Sequence, residues 1–187
     1  MLTHKGTQML HTKRLTLRRF TPEDAPAMFR NWANDTDVTK FLTWAPHGSV
    51  DVTNALLKSW CAEYNYPDRY NWVIEYQGEP IGGIDVVYLN KRSEWAELGY
   101  CMGKQWWNQG LMTEAAQTVI RYLFCEVGLH RIVIEHAVKN PGSGRVAQKC
   151  GLTLEGIKRD YFKKSDGEFL DVAQYAILQE EWRKIHQ

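Results

Sequence analysis

Residues 93–124 constrain this chain more than any other segment. Residues 93–102, Ser-Glu-Trp-Ala-Glu-Leu-Gly-Tyr-Cys-Met, read as a strand; helical spacing then begins with Ala115, Ala116, Val119, Ile120, Leu123 and Phe124 and stops near Gly128. Between the two runs lies Trp107-Asn108-Gln109-Gly110-Leu111-Met112, followed by Thr113 and Glu114. A helix entered from a strand end presents unpaired backbone N–H groups and the positive end of its dipole, which together favour an anion such as a phosphate. Gly110 permits close backbone approach or a positive φ, and Thr113 can cap or donate a hydroxyl. Taken alone, one glycine at a helix start reads equally well as ordinary turn chemistry.

The flanking segments supply a sheet for this unit. Residues 14–20 alternate polar and apolar, as a half-buried strand does. Thr21-Pro22-Glu23-Asp24 then signals a helix start, continued by Ala25, Met28, Phe29 and Trp32. A second helix is expected over 52–64, after the break at Pro46-His47-Gly48-Ser49. Residues 70–76 and 81–89 read as a hairpin around Gln77-Gly78-Glu79-Pro80. Beyond the central helix come a strand over 131–138, a short helix running to about Lys149 with Gly151 as a left-handed cap, and strands over 154–162 and 169–178 around Ser165-Asp166-Gly167. Residues 1–10 show no pattern and are expected to be a loose tail. With no repeat, low-complexity tract or linker, the expectation is one α+β domain over 1–187.

Composition excludes several classes of function. The 23 basic and 22 acidic residues give no overall positive field for nonspecific nucleic-acid binding. No apolar stretch approaches a membrane span, and the N-terminus lacks the layout of a signal peptide, so a cytoplasmic location is expected. Cys61, Cys101, Cys125 and Cys150 are scattered and read as free, mostly buried thiols; the six His form no zinc-type spacing, and no metal is expected. A cysteine nucleophile at Cys101 or Cys150 would have no His nearby in sequence to activate it. The spacing of Gly and Lys is not that of a P-loop, which argues against an unrelated nucleotide binder.

Three separated motifs stand in order: Glu97-Leu98-Gly99-Tyr100, the run Trp107 to Ala115, and Asn140-Pro141-Gly142-Ser143-Gly144-Arg145-Val146-Ala147-Gln148-Lys149-Cys150-Gly151, preceded by Thr12-Lys13-Arg14-Leu15-Thr16-Leu17-Arg18. In these the chain resembles the GNAT superfamily of acetyltransferases, in the branch of Rim-type enzymes that acetylate ribosomal-protein N-termini. The superfamily pyrophosphate loop reads Gln or Arg, two residues, Gly, one residue, then Gly or Ala. Here Trp107, Gly110 and Met112 fill those places, with Asn108 where Gly is usual and Met112 where Ala is usual.

The resemblance implies a mostly antiparallel sheet of about seven strands, splayed in the middle, with helices on both faces. It implies acetyl coenzyme A as co-substrate, held by Trp107, Asn108, Gln109, Gly110, Leu111, Met112 and Thr113 at the pyrophosphate and by the backbone of Tyr100, Cys101 and Met102 along the pantetheine. Asn140 would bond the same arm, Ser143 would lie near the sulfur, and Lys149 is counted among the cofactor contacts. Glu97 is the candidate general base, provided burial raises its pKa. Ser143 and Tyr161 are alternative acids at the thiolate, while Asp171 and Tyr175 are read as structural. The expected reaction is direct acetyl transfer to a primary amine: a protein N-terminus, with a ribosomal protein favoured by the branch, or a small amine such as an antibiotic or polyamine. A coenzyme A-binding module without chemistry is the rival reading. Trp32, Phe41, Trp44 and Trp72 stand open between acceptor wall and core, and a homodimer is common in the branch.

Overall fold

The computed structural model describes residues 2–186; Met1, the first residue of the expected tail, and Gln187 lie outside them. Eight strands form one sheet in the order β1-β2-β3-β4-β5-β6-β8-β7: β1 (Leu10–His11), β2 (Leu15–Arg18), β3 (Asn71–Tyr76), β4 (Glu79–Asn90), β5 (Trp95–Met102), β6 (Arg131–Ala137), β7 (Thr153–Lys163) and β8 (Phe169–Leu178). Every pairing is antiparallel except β5 with β6. The expected strands are present, and β1 makes the count eight rather than about seven. The β3–β4 hairpin closes on Gln77 at φ 53° and Gly78 at φ 81°, the two positive values that match the turn to the twist of the strands.

Helices cover both faces because alternate strand residues feed two cores. Trp72 and Ile74 of β3 pack with α4 (Leu111–Tyr122) and with Ala147 of α5 (Pro141–Lys149). Val73, pointing the other way, packs with α1 (Ala25–Met28), the π turn Phe29–Ala33 and α3 (Val50–Glu63). Helix α3 begins two residues earlier than expected because Ser49 caps it, its hydroxyl accepting from the Asp51 amide at 3.1 Å. Two short helices, α2 (Thr36–Thr39) and α6 (Gln179–Ile185), carry no periodicity that a sequence reading detects.

The N-terminal segment is not a loose tail. The Thr3 amide donates to Val127 O at 2.9 Å, the Tyr122 hydroxyl to Gly6 O at 2.7 Å, the Asn71 amide to the Thr7 hydroxyl at 2.9 Å, and the Trp72 indole to Gln8 O at 2.7 Å. Thr7 is only 2% exposed. The contacts run largely through backbone groups, which leave no side-chain period to read.

Strands β5 and β6 place the site by parting. They pair only from Trp95 opposite Arg131 to Leu98 opposite Ile134, then separate, while β5 continues to Met102 against β4 and β6 to Ala137 against β8. This splay opens the middle of the sheet at Gly99–Met102.

Candidate active site

Two cavities meet at the splay. One, of about 560 Å³, lies against the N-terminal ends of α4 and α5; the other, of about 820 Å³, lies under α1, α3 and the loop 40–48. Phe41, Leu42, Tyr100, Cys101, Asn140 and Ser143 line both, so the last four, at the strand and helix ends, mark the boundary across which anything bound in one cavity reaches the other.

The first cavity is built for an anion. Gly110 is the N-cap of α4 at φ 76°, a left-handed value that glycine adopts without penalty. The first-turn amides of Leu111, Met112 and Thr113 have no earlier turn to bond, and all three residues line the cavity with Trp107, Asn108 and Gly110. Asn108 stands at φ 60°, a region that Asn tolerates better than most residues, so it meets the backbone demand that a glycine would meet. Met112 is 9% exposed and packs into the core while bordering the cavity, so its side chain is accommodated where Ala is usual. Gln109 does not line the cavity; its carbonyl accepts from Arg14 Nη1 at 3.1 Å, and Arg14 Nε is ion-paired with Glu114 at 2.7 Å. Arg14 thus ties β2 to the loop. The Met102 carbonyl accepts from the Trp107 indole at 2.7 Å, which fixes the loop and occupies one acceptor that the reading assigned to the pantetheine. Lys149 is at the rim, joined by Lys40, Lys104 and Arg145, which sequence reading did not single out because surface cations on separate elements carry no pattern.

Asn140 caps α5, its Oδ1 accepting from the Ser143 amide at 3.3 Å, so it is a capping residue that also lines both cavities. Its NH₂ group is the half that remains for a ligand. The Ser143 hydroxyl donates to Tyr100 Oη at 2.9 Å, and the Tyr100 hydroxyl donates to the Ser143 carbonyl at 3.1 Å. Burial pushes the Tyr100 phenol above its ordinary range, so it stays protonated. Sequence reading gave Tyr100 a backbone role alone; its side chain is the added member.

Tyr161 is not brought to this group. It is 52% exposed, beneath the Lys158 ammonium at 4.2 Å. Strand β7 carries three residues between Lys158 and Phe162 where β8 has only Asp171 between their partners Val172 and Leu170, with Asp160 at φ 48° in the bulge. Phe162, and not Tyr161, lines the second cavity. Asp171 holds the bulge by accepting from the Asp160 amide at 2.9 Å, and Tyr175 stacks on His136 at 5.5 Å; both contacts are structural.

On the acceptor side, Glu97 of β5, Asp85 of β4 and Glu135 of β6 line the second cavity. Burial first, then the Glu135 carboxylate, pushes Glu97 up to about 7, against the pull of Lys158. Asp85 is also pushed up to about 7, by burial and by Glu97, with Arg69 opposing. Glu135, 5% exposed at its side chain, is ion-paired with Lys158. The sequence signal for Asp85 was hidden inside an apolar strand. Trp32, Phe41 and Trp44 line this cavity, whereas Trp72 is core, fully buried against Tyr70. The cysteines are free, yet only Cys150 is buried, Cys125 is exposed, and Cys61 and Cys101 are intermediate. Burial pushes Cys101 and Cys150 up to about 12, which leaves them as thiols rather than nucleophiles at neutral pH.

Residues 14–153 match the acetyltransferase (GNAT) domain family, three quarters of the chain and every element of both cavities up to β7. The chain belongs to the GNAT acetyltransferases. It is 31% identical over 172 residues to the uncharacterized N-acetyltransferase YoaA of Bacillus subtilis, covering 91% of this chain and 96% of that one. It is 28% identical over 171 residues to the putative ribosomal N-acetyltransferase YdaF of the same organism, covering 90% and 93%. A solved GNAT-family acetyltransferase from Bacillus anthracis superposes with a TM-score of 0.81 at 26% identity, covering 92% of this chain and 99% of that one. This GNAT chain is accordingly an N-acetyltransferase, and acetyl coenzyme A is its co-substrate. The anion-ready α4 terminus and the splay fit that molecule's pyrophosphate and extended arm. Among the described residues, no helix is long and apolar enough to cross a membrane.

Proposed function

We propose that residues 1–187 form one catalytic domain that transfers acetyl directly from acetyl coenzyme A to the primary amine of a polypeptide N-terminus. The observation that carries this reading is the meeting of the two cavities at Tyr100, Cys101, Asn140 and Ser143, with a raised carboxylate on the acceptor side. The name of YdaF supports a ribosomal protein as the source of that N-terminus.

The first-turn amides of Leu111, Met112 and Thr113 hold the pyrophosphate, with Gly110, Trp107 and Asn108 shaping the loop and Lys149 at its edge. The backbone of Tyr100 and Cys101 and the Asn140 NH₂ group hold the pantetheine. Acetyl coenzyme A supplies the activated acetyl group. Glu97, as carboxylate, takes a proton from the acceptor ammonium, leaving a neutral amine able to attack. Backbone N–H groups of β5 exposed by the splay stabilise the charge that develops on the acetyl oxygen. As the C–N bond holds and the C–S bond breaks, the Ser143 hydroxyl turns from Tyr100 Oη toward the sulfur and the Tyr100 hydroxyl turns from the Ser143 carbonyl to Ser143 Oγ. The second proton of the nitrogen passes to the sulfur through the Ser143 hydroxyl, so the amide is neutral and coenzyme A leaves as the thiol. Coenzyme A release on mixing the protein with acetyl coenzyme A and a peptide of free N-terminus tests the reading. No release above background, or equal release with an N-terminally blocked peptide, refutes it.

A further inference from the structure

The two cavities divide charge as an anionic cofactor and a cationic acceptor would. The cofactor cavity is bordered by Lys40, Lys104, Arg145 and Lys149 against one carboxylate, Asp37. Among the described residues, the acceptor cavity is bordered by Asp85, Glu97 and Glu135 and by no lysine or arginine. Lys158 engages Glu135 from outside, so Asp85 and Glu97 are the groups that meet an incoming cation. Two histidines share the wall: the His47 ring is bonded to Thr53 at 2.8 Å, with its pKa lowered by burial, and the His136 ring to the Ala137 carbonyl at 2.8 Å.

The walls are aromatic. Phe20 and Trp60 face each other at 5.1 Å and 56°, Trp44 meets His47 at 5.3 Å, and Phe41 and Phe162 complete the ring-lined surface. Trp44, Trp60 and Phe41 are only half-buried and line the cavity, the Phe41 ring also meeting the Lys40 ammonium at 5.4 Å. A small aliphatic body beside the amine would leave those rings facing water. An aromatic body adds its own large apolar area and the offset or edge-on geometries that ring pairs prefer, and ring faces also attract an ammonium. The cavity volume lies within the range of small-molecule sites.

We propose that the acceptor is a primary ammonium carried on an aromatic or bulky apolar body, supplied by a polypeptide with such an N-terminal side chain or by a free arylalkylamine. This rests on the acetyl transfer to a primary amine proposed above; a free arylalkylamine would take the place of the polypeptide N-terminus as the source of that amine. The test is kcat/KM, by coenzyme A release, for 2-phenylethylamine, spermidine and two peptides that differ only in a first residue of Phe or Ser. The aromatic acceptors are expected to exceed the Ser peptide and spermidine by at least about 10-fold, the size of discrimination that apolar pocket contacts supply. The Phe peptide against 2-phenylethylamine separates the two sources. Trp44→Ala lies in the loop 40–48, outside the regular elements, and is expected to raise KM for the aromatic acceptor about 10-fold with KM for acetyl coenzyme A unchanged; Trp60→Ala, with its fold checked by circular dichroism, is expected to do the same. A Ser peptide or spermidine used as well as the aromatic amines, or an unchanged aromatic KM in Trp44→Ala, overturns this inference while amine acetylation stands. Release with no amine in the panel overturns both.

Discussion

Glu97 and its neighbours carry the most direct predictions. A carboxylate whose pKa is raised to about 7 is the working base only above that pH, so kcat/KM should rise with pH through that range and level off beyond it. Glu97→Gln is expected to lower kcat/KM about 100-fold on the plateau and to flatten that rise. Glu135→Gln removes the negative neighbour that helps raise Glu97 and leaves Lys158 unpaired, so the acid limb should move to lower pH; Asp85, Arg69 and Lys158 are the other charged groups acting on this cluster. A pH profile of each variant decides both points. At the leaving group, Ser143→Ala should lower kcat more than Tyr100→Phe, because the phenol acts through the serine; equal kcat in wild type and Ser143→Ala counts against the assignment. Glu97 and Ser143 were legible as residue types within motifs. Asp85 and the Tyr100 hydroxyl were not, since only neighbours on other elements bring them to the cavities.

At the scale of elements, the entry to α4 is decided by backbone conformation. Gly110 at φ 76° would cost about 1–2 kcal/mol as alanine, since a Cβ is disfavoured in the left-handed region. For a chain of this length that corresponds to a fall in Tm of roughly 2–8 °C. Gly110→Ala is also expected to raise KM for acetyl coenzyme A while leaving KM for the amine unchanged, which thermal denaturation and steady-state kinetics measure. The glycine was visible in the sequence, as were the strand before it and the helix after it. The bulge in β7 was not, because two extra residues between Lys158 and Phe162 are recognisable only against the register of β8. Beyond it, Phe162 rather than Tyr161 lines the second cavity.

Across the whole molecule, the N-terminal segment joins two parts of the chain distant in sequence: the end of α4 and the turn after it, at Tyr122, Glu126 and Val127, and the entry to β3, at Arg69 and Asn71. Deleting residues 2–8 should lower Tm by several degrees, each lost internal hydrogen bond being worth about 1 kcal/mol. An unchanged melting curve would mean that the segment contributes nothing to stability. Because the segment lies against Tyr122 and Trp72 rather than either cavity, the truncated protein that remains folded should keep its KM values.

Local chemistry in the sequence determined where strands and helices form, which glycine opens the anion site, and which family motifs occur in order. Periodicity, caps and turn residues act over a few residues and are therefore written there. The tertiary structure alone decided that β5 and β6 part after Leu98 and Ile134, that three carboxylates from three strands share one cavity, and that the cations gather in the other. Those facts depend on sheet order and register, which bring together residues that no local pattern links.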